Sequence, residues 1–299
     1  MIIKLTYNTM FKALFFFLFI TSCSIHAQVL SKPDYTWAHN LRLKKNISYG
    51  EDKAQKLDVY SQNDTQLKPT LIYFHGGNWV QSSKDAFINH QFYIYFLEKG
   101  WNVVNVEYRL GKGTAPNAAQ DVLCAVKWVA DNAETYFIDT DKIVLLGPSA
   151  GGHLALISGL MNTVPDSHSC YVGDKIKVKA IVNWFGASDI SNLNNYHHGK
   201  ENNPIKVWVK DPQAIEEISR EYSPIHYVTN NAPPVITIHG DYDTIIPFVQ
   251  SKKLHKALDK VNVQNQLVTV PGGGHFGFTK EQFQFINEQI FLFLGSIMD

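Results

Sequence analysis

The feature that most constrains this chain is a series of short apolar runs that do not alternate with polar residues. The runs lie at residues 71–74, 103–106, 143–146, 180–185, 235–238 and 266–270. Strands that are apolar on both faces are typical of a parallel sheet covered by helices on both sides. The runs therefore predict a buried, mostly parallel sheet.

Segments with helical spacing separate these runs. Val122, Val126 and Val129 fall at i, i+4 and i+7, and similar apolar stripes begin at Leu254 and Phe283. Such stripes are typical of helices that bury one face. Because strand and helix alternate to the C-terminus, we expect one doubly wound α/β domain rather than two domains.

One segment, residues 188–231, breaks the alternation. It is polar and contains Pro204, Pro212 and Pro224. We interpret this segment as a small helical or loop insertion that lies over the carboxyl edge of the sheet.

Composition narrows the class of protein. Hydrophobic residues make up 45% of the 299 residues, and 27 basic residues balance 27 acidic ones. This ordinary globular composition excludes a disordered, collagen-like or multi-span membrane protein. Because nucleic-acid binding needs clustered Lys and Arg, the balanced charge gives no indication of a nucleic-acid partner.

The N-terminus has the pattern of an export signal. Lys4 and Lys12 precede the uninterrupted apolar run 13–20, and small and polar residues follow it. The run is too short to cross about 30 Å of hydrocarbon as a helix, so a transmembrane anchor is not expected. We therefore expect an exported protein, either secreted, periplasmic or held as an outer-membrane lipoprotein.

Two processing routes stay open for this signal. Removal of a signal peptide of residues 1–27 would leave a domain of residues 28–299. Alternatively, residues 20–23 resemble a bacterial lipobox, in which case residues 1–22 are a lipoprotein signal and Cys23 carries a lipid anchor to the membrane.

Two further cysteines, Cys124 and Cys170, remain after either cleavage. An oxidising compartment would permit a disulfide between them. Sequence alone does not place their Cα atoms, and we interpret them as two independent buried thiols.

The sharpest chemical motif is Gly147-Pro148-Ser149-Ala150-Gly151-Gly152. A predicted strand ends just before it, and an apolar helical segment begins just after it. This strand–turn–helix setting is the one that a nucleophile elbow needs, with Ser149 exposed above the sheet. We therefore predict that Ser149 is a nucleophile.

A second motif, His75-Gly76-Gly77-Asn78-Trp79, directly follows another predicted strand. A tetrahedral oxyanion needs preorganised donors, and backbone N–H groups supply them where no Cβ blocks the approach. We predict an oxyanion hole formed by the N–H groups of Gly77 and Asn78, together with that of Ala150.

Two loops supply an acid and a base. Asp243 follows the strand at 235–238, and we prefer it to Asp241 as the carboxylate that orients the base; Asp189 is a remoter candidate. His275 follows the last strand in a glycine-rich loop, where it can reach the nucleophile as a general base. The order Ser149, Asp243, His275 is the chain order of α/β-hydrolases.

Three aromatic residues lie close to these motifs. Trp79 ends the second motif, and Trp184 and Phe185 end the strand at 180–185. Each is a candidate wall of the substrate pocket, and each is also compatible with a place in the core. The pair His197-His198 is not expected to bind a metal, because adjacent residues point apart and no carboxylate motif surrounds them.

These motifs together resemble the HGG-motif carboxylesterases of the α/β-hydrolase fold. The residues that carry the resemblance are 75–79, 107–110 (Glu-Tyr-Arg-Leu), 147–152, 240–247 and 274–276. The resemblance covers the hormone-sensitive-lipase-like group and the group of bacterial feruloyl-esterase domains and kynurenine formamidase. Asn78, in place of a third glycine, favours the second group.

The resemblance implies hydrolysis of small-molecule or polymer-linked carboxylic esters through an acyl-enzyme, without a metal or organic cofactor. Glu107 and Arg109 are expected to belong to a structural hydrogen-bond network. Two other functions stay open: an amide hydrolase of the formamidase or exopeptidase kind, and a non-catalytic binding module on a hydrolase scaffold.

Overall fold

A computed structural model describes residues 41–165 and 167–298. The predicted export signal, the two predicted processing sites and Cys23 lie outside these residues. An eight-stranded sheet with the order β1-β2-β4-β3-β5-β6-β7-β8 forms the centre of the fold. The strands are β1 Leu41–Ser48, β2 Lys56–Gln62, β3 Lys68–Phe74, β4 Asn102–Val106, β5 Ile138–Pro148, β6 Val178–Trp184, β7 Val235–Gly240 and β8 Asn265–Val270.

The sheet is mostly parallel, as the apolar runs predict. The six strands β3 to β8 pair in parallel with their neighbours in this group, and each coincides with one of the predicted runs, although β6 ends at Trp184, one residue before its run does. The strands β1 and β2 pair antiparallel with each other, and β2 pairs antiparallel with β4. These two strands were not predicted, because neither is a continuous apolar run.

Eight α-helices connect and cover the strands within the described residues. They are α1 His90–Glu98, α2 Asn117–Asp131, α3 Ala150–Met161, α4 Ile190–Tyr196, α5 Pro204–Val209, α6 Ile215–Glu221, α7 Val249–Lys260 and α8 Lys280–Gly295. Short 3₁₀ turns lie at Phe87–Asn89, Gly173–Lys175 and Pro224–Tyr227. Within residues 41–165 and 167–298, no helix has the length and apolarity needed to cross a membrane.

The helices form two layers around the sheet, so its strands are covered on both sides. One face packs against α2, α3 and α7, where Val126, Leu154 and Leu254 share a core with Ile72 of β3. The other face packs against α1 and α8, and there Phe92 contacts Trp184 edge to face, with ring centroids 4.8 Å apart. This burial on both faces explains why the strands are apolar throughout.

The segment 188–231 connects β6 to β7 and contains α4, α5 and α6. Hydrogen bonds to Gln250 of α7 fix the first residues of this segment. The Oε1 atom of Gln250 accepts from the backbone N–H groups of Ser188 and Asp189, at 3.0 and 2.9 Å. The Nε2 atom donates to Asn192 Oδ1 at 3.0 Å. The segment therefore begins at the carboxyl end of β6, the edge where the predicted catalytic loops also begin.

The structure corrects the interpretation of the two cysteines. Cys124 of α2 and Cys170 form a disulfide, with their Cα atoms 5.0 Å apart. Because α2 and α3 pack side by side, the chain that follows α3 returns past α2 and brings Cys170 to it. A sequence separation of 46 residues does not reveal this return.

Candidate active site

Ser149 lies in the sharp turn between β5 and α3. Its backbone has φ 57° and ψ −121°, a strained conformation for a residue other than glycine. The turn places Ser149 at the N-terminus of α3, where the helix dipole favours negative charge. This is the geometry of a nucleophile elbow.

Gly151 explains why small residues surround Ser149. A Cβ atom at this position would lie 2.0 Å from the carbonyl oxygen of Phe74, the last residue of β3. The first turn of α3 therefore touches the end of β3, which leads directly into the loop at residues 75–79.

His275 links the predicted nucleophile to the predicted acid. Its Nε2 atom lies 2.9 Å from Ser149 Oγ, and its Nδ1 atom lies 2.6 Å from Asp243 Oδ2. A carboxylate only accepts, so Nδ1 carries the proton and Nε2 accepts from the serine hydroxyl. The ring of Phe185 packs against the imidazole at a centroid distance of 4.6 Å. In this tautomer, His275 is ready to remove the hydroxyl proton.

Both carboxylate oxygens of Asp243 accept hydrogen bonds. Oδ1 accepts from the backbone N–H groups of Ile245 and Ile246 at 2.8 and 2.9 Å. Oδ2 accepts from His275 and also lies 3.2 Å from Nε2 of the buried His239. Burial alone would raise the pKa of Asp243, but the adjacent imidazole of His239 and the hydrogen bonds from His275 and the backbone N–H of Ile246 hold that pKa well below its usual value. The carboxylate is therefore charged at neutral pH.

The two other aspartates have different positions. Asp241 Oδ1 accepts from the backbone N–H of Gly272 at 2.7 Å and so joins two loops. Asp189 caps α4, since its Oδ1 accepts from the N–H of Asn192 at 2.9 Å. Of the three candidates, the structure places Asp243 against His275.

The loop at residues 75–79, which we call the oxyanion loop, lies next to the predicted nucleophile. Gly77, Asn78 and Trp79 all have positive φ, at 128°, 54° and 61°. Within the described chain, the N–H groups of Gly77, Asn78 and Ala150 donate to no other residue. A Cβ atom at Gly76 would lie 3.6 Å from Ser149 Cβ, so the loop lies directly against the elbow. These N–H groups are available to an oxyanion.

A polar network supports this loop from behind, as predicted for Glu107 and Arg109. His75 Nε2 lies 2.8 Å from Glu107 Oε1, and the backbone N–H of Lys84 donates to Glu107 Oε2 at 2.9 Å. Arg109 forms an ion pair with the buried Asp121. Glu107 thereby joins His75, which precedes the oxyanion donors Gly77 and Asn78, to Lys84, which follows them.

The structure corrects two of the three predicted pocket walls. Trp79 and Trp184 are only 1% and 0% exposed, and both indoles are enclosed by protein. Trp79 stacks on Trp208, while Trp184 packs against Phe92 in the layer formed by α1 and α8. They therefore belong to the core. Phe185 is also buried, at 3% exposed, but its ring contacts the catalytic histidine His275.

Three residues around the site received no role from the sequence. They are His239 behind Asp243, and His153 and Trp208 behind the oxyanion loop. His239 precedes Asp243 by four residues in the same motif, which is the signal that could have revealed it. The positions of the other two depend on long-range packing.

The His197-His198 pair lies away from the reacting atoms. His197 Nε2 donates to the carbonyl oxygen of Ile245 at 2.8 Å and so attaches the end of α4 to the loop that carries Asp243. Among residues 41–165 and 167–298, no three His, Cys, Asp or Glu side chains are grouped to hold a metal ion.

Comparison with known proteins agrees with this architecture. The chain is 30% identical over 239 residues to Esterase LipC of Mycobacterium tuberculosis, an alignment that covers 78% of this chain and 59% of the relative. It spans little more than half the length of the curated relatives that it matches.

Solved structures show the same fold. A truncated carbohydrate esterase from gut microbiota superposes with a TM-score of 0.71 and 26% identity, covering 84% of this chain and 96% of that one. A bifunctional GH43-CE protein of Bacteroides eggerthii superposes with a TM-score of 0.70 and 27% identity. The match covers 84% of this chain and 38% of that one. The family model BD-FAE matches residues 57–258. This chain belongs to the BD-FAE family and has the α/β-hydrolase fold.

Proposed function

We propose that this protein is a serine hydrolase that cleaves carboxylic esters through an acyl-enzyme. The observation that carries the proposal is the continuous hydrogen-bonded chain from Asp243 through His275 to Ser149, with links of 2.6 and 2.9 Å. A buried acid, an imidazole in the right tautomer and a serine in a strained turn form the arrangement that activates a hydroxyl nucleophile.

In the proposed reaction, Ser149 Oγ attacks the acyl carbonyl while His275 Nε2 takes the hydroxyl proton. The N–H groups of Gly77, Asn78 and Ala150 stabilise the oxyanion that forms. His275 then donates its proton to the departing alcohol. A water molecule, deprotonated by His275, attacks the acyl-enzyme and releases the acid. Asp243 supports the positive imidazolium in both steps.

The names of the relatives favour the hydrolysis of esters over the other reactions that this fold catalyses. Their names include an esterase, a probable carboxylic ester hydrolase and a carbohydrate esterase. A non-catalytic scaffold would not be expected to keep the acid, the base and the nucleophile in hydrogen-bond contact.

We propose acyl groups of small or medium size, including those attached to sugars, as the substrate class. Two rings stand in solvent on the catalytic loops: Phe276 is 72% exposed and Tyr242 is 74% exposed. Phe276 lies edge-on to His275 at a centroid distance of 4.7 Å. An exposed aromatic ring beside the catalytic histidine, as Phe276 provides, suits a sugar ring or an aromatic acyl group.

A substrate panel tests this function. Purified wild-type protein is offered p-nitrophenyl acetate, acetylated xylan, methyl ferulate and N-formylkynurenine, with Ser149→Ala as the blank. We expect release of acid from at least one ester, dependent on Ser149. Cleavage of the formyl amide alone would favour an amide hydrolase, and a folded wild-type protein that cleaves no ester would contradict the proposal.

We further propose that the protein is exported, with the N-terminal signal removed. The disulfide between Cys124 and Cys170 supports this, because such bonds persist mainly in oxidising compartments. Fractionation of producing cells, followed by N-terminal mass analysis, is expected to give a mature chain that starts at Gln28 or at a lipidated Cys23. Full-length protein that stays in the cytosol would contradict export.

A further inference from the structure

The oxyanion loop carries its own buried anchor, the indole of Trp79. Gly77, Asn78 and Trp79 form a run of three residues with positive φ. Asn and Trp adopt this backbone only where the surroundings hold it, since left-handed conformations cost free energy for residues with a Cβ. Trp79 is the last of the three, and its side chain points into the core rather than to the substrate.

Two contacts fix the indole. Trp79 Nε1 donates to His153 Nδ1 at 3.1 Å. The ring also stacks on Trp208 of α5, with centroids 4.8 Å apart and planes inclined by 18°. The loop is thus held by α3 on one side and by the segment 188–231 on the other.

His153 joins three parts of the site. It lies one helical turn after Ser149, and its backbone N–H donates to the Ser149 carbonyl oxygen at 3.1 Å. Its imidazole Nε2 donates to the carbonyl oxygen of Tyr222 at 2.8 Å. The helix α3, the oxyanion loop and the segment 188–231 therefore all contact one buried side chain, that of His153.

The hydrogen bonds of His153 leave only one tautomer. A carbonyl oxygen accepts only, so Nε2 carries the proton, and the bare Nδ1 is the acceptor for Trp79. Burial lowers the pKa of His153 to about 4, although its bond to the Tyr222 carbonyl opposes that change. The imidazole is therefore neutral at neutral pH, and Nδ1 remains free to accept.

We propose that His153 is a positioning residue, which sets the oxyanion hole by accepting the indole proton of Trp79. The proposal rests on the proposed serine-hydrolase function, but it assigns a role that the Ser149, Asp243 and His275 chemistry does not use. Oxyanion donors act over a narrow range of distance, about 2.7–3.1 Å from the developing charge. A small displacement of the loop would therefore weaken transition-state binding more than substrate binding.

Two amide variants separate the two hydrogen bonds of His153. His153→Asn places its amide oxygen near the position of Nδ1 and keeps an acceptor for Trp79. His153→Gln extends to the position of Nε2 and keeps the donor to Tyr222, but it loses the acceptor. Asparagine is the smaller of the two and leaves the larger cavity, so a role in general packing would make His153→Asn at least as damaging as His153→Gln.

We expect His153→Gln to lower kcat for p-nitrophenyl acetate by about 10- to 100-fold with little change in KM, since weakened oxyanion donors act on the transition state. His153→Asn is expected to recover kcat to within several-fold of wild type. Trp79→Phe keeps the ring stack and removes the donor, so it should match His153→Gln. Combining Trp79→Phe with His153→Gln should add little further loss, because both remove the same bond.

Hydrogen exchange of the Trp79 indole proton, followed by NMR of ¹⁵N-tryptophan-labelled protein, gives a readout independent of activity. The proton should be protected in wild type and in His153→Asn, and should exchange faster in His153→Gln. Equal kcat in the two amide variants, a loss confined to KM, or unchanged protection in His153→Gln would overturn the proposal. An inactive wild type with a protected indole would instead contradict the proposed function, since the anchor itself would be intact.

Discussion

Ser149→Ala is expected to lower kcat/KM for an activated ester by about 10⁴-fold or more, because removal of the nucleophile of a triad leaves only binding and oxyanion stabilisation. The hydroxyl makes one hydrogen bond within the described chain, to His275 Nε2. The side chain of Ser149 makes no capping hydrogen bond to α3, and alanine carries the same Cβ atom in the strained turn, so the folded structure should survive. Steady-state hydrolysis of p-nitrophenyl acetate measures the effect.

Ser158→Ala is the matched control. Ser158 is also buried on α3, but its Oγ donates to the carbonyl oxygen of Leu154 within the helix. This variant should keep kcat/KM within about twofold, because a local bond to the helix backbone contributes little. Wild-type turnover by Ser149→Ala would remove Ser149 from the mechanism.

Asp243→Asn is expected to lower kcat by about 10⁴-fold, because it changes which nitrogen of His275 carries the proton. Oδ1 accepts from the N–H groups of Ile245 and Ile246, so the single amide oxygen of asparagine would take that position. The amide NH₂ would then face His275 Nδ1, which could only accept. The proton would move to Nε2, and Nε2 could no longer accept the proton of Ser149.

Asp241→Asn controls for the loss of a carboxylate in the same loop. Asp241 accepts from one backbone N–H, that of Gly272, and asparagine can do the same. We expect kcat within several-fold of wild type, since a neutral oxygen still accepts a single hydrogen bond. Equal losses in the two variants would show that the charge of the loop matters and the contact with His275 does not.

The sequence predicts the strands β3 to β8 well, because strands covered on both faces must be apolar throughout. It does not reveal β1 and β2. β1 is an exposed edge strand with two adjacent lysines. β2 contains Asp58, which is fully buried and paired with Lys84 at 3.0 Å. A buried ion pair looks polar in the sequence, and its partner lies 26 residues away.

The candidate site is predictable where a residue type, a strand end and chain order agree. Ser149, Asp243 and His275 each follow a strand, and the carboxyl ends of parallel strands meet at one edge of the sheet. Contacts between distant segments are different. The disulfide and the burial of Trp79 and Trp184 depend on how helices and loops pack, and residue spacing does not encode that.

The role of a buried histidine is the hardest to predict. His153 resembles an ordinary core residue in the sequence, since it begins an apolar helical segment, and the one signal for His239 is its place four residues before Asp243. Only the folded structure shows that one accepts from the indole of the oxyanion loop and that the other approaches the Asp243 carboxylate.

The central claim is that Ser149 is an activated nucleophile, and fluorophosphonate labelling tests it most directly. Folded wild-type protein is incubated with the probe, and the adduct is located by peptide mass spectrometry. We predict a single adduct on Ser149 that forms in wild type and is lost in Ser149→Ala. A folded wild-type protein without an adduct, or an adduct that persists in Ser149→Ala, would contradict the claim.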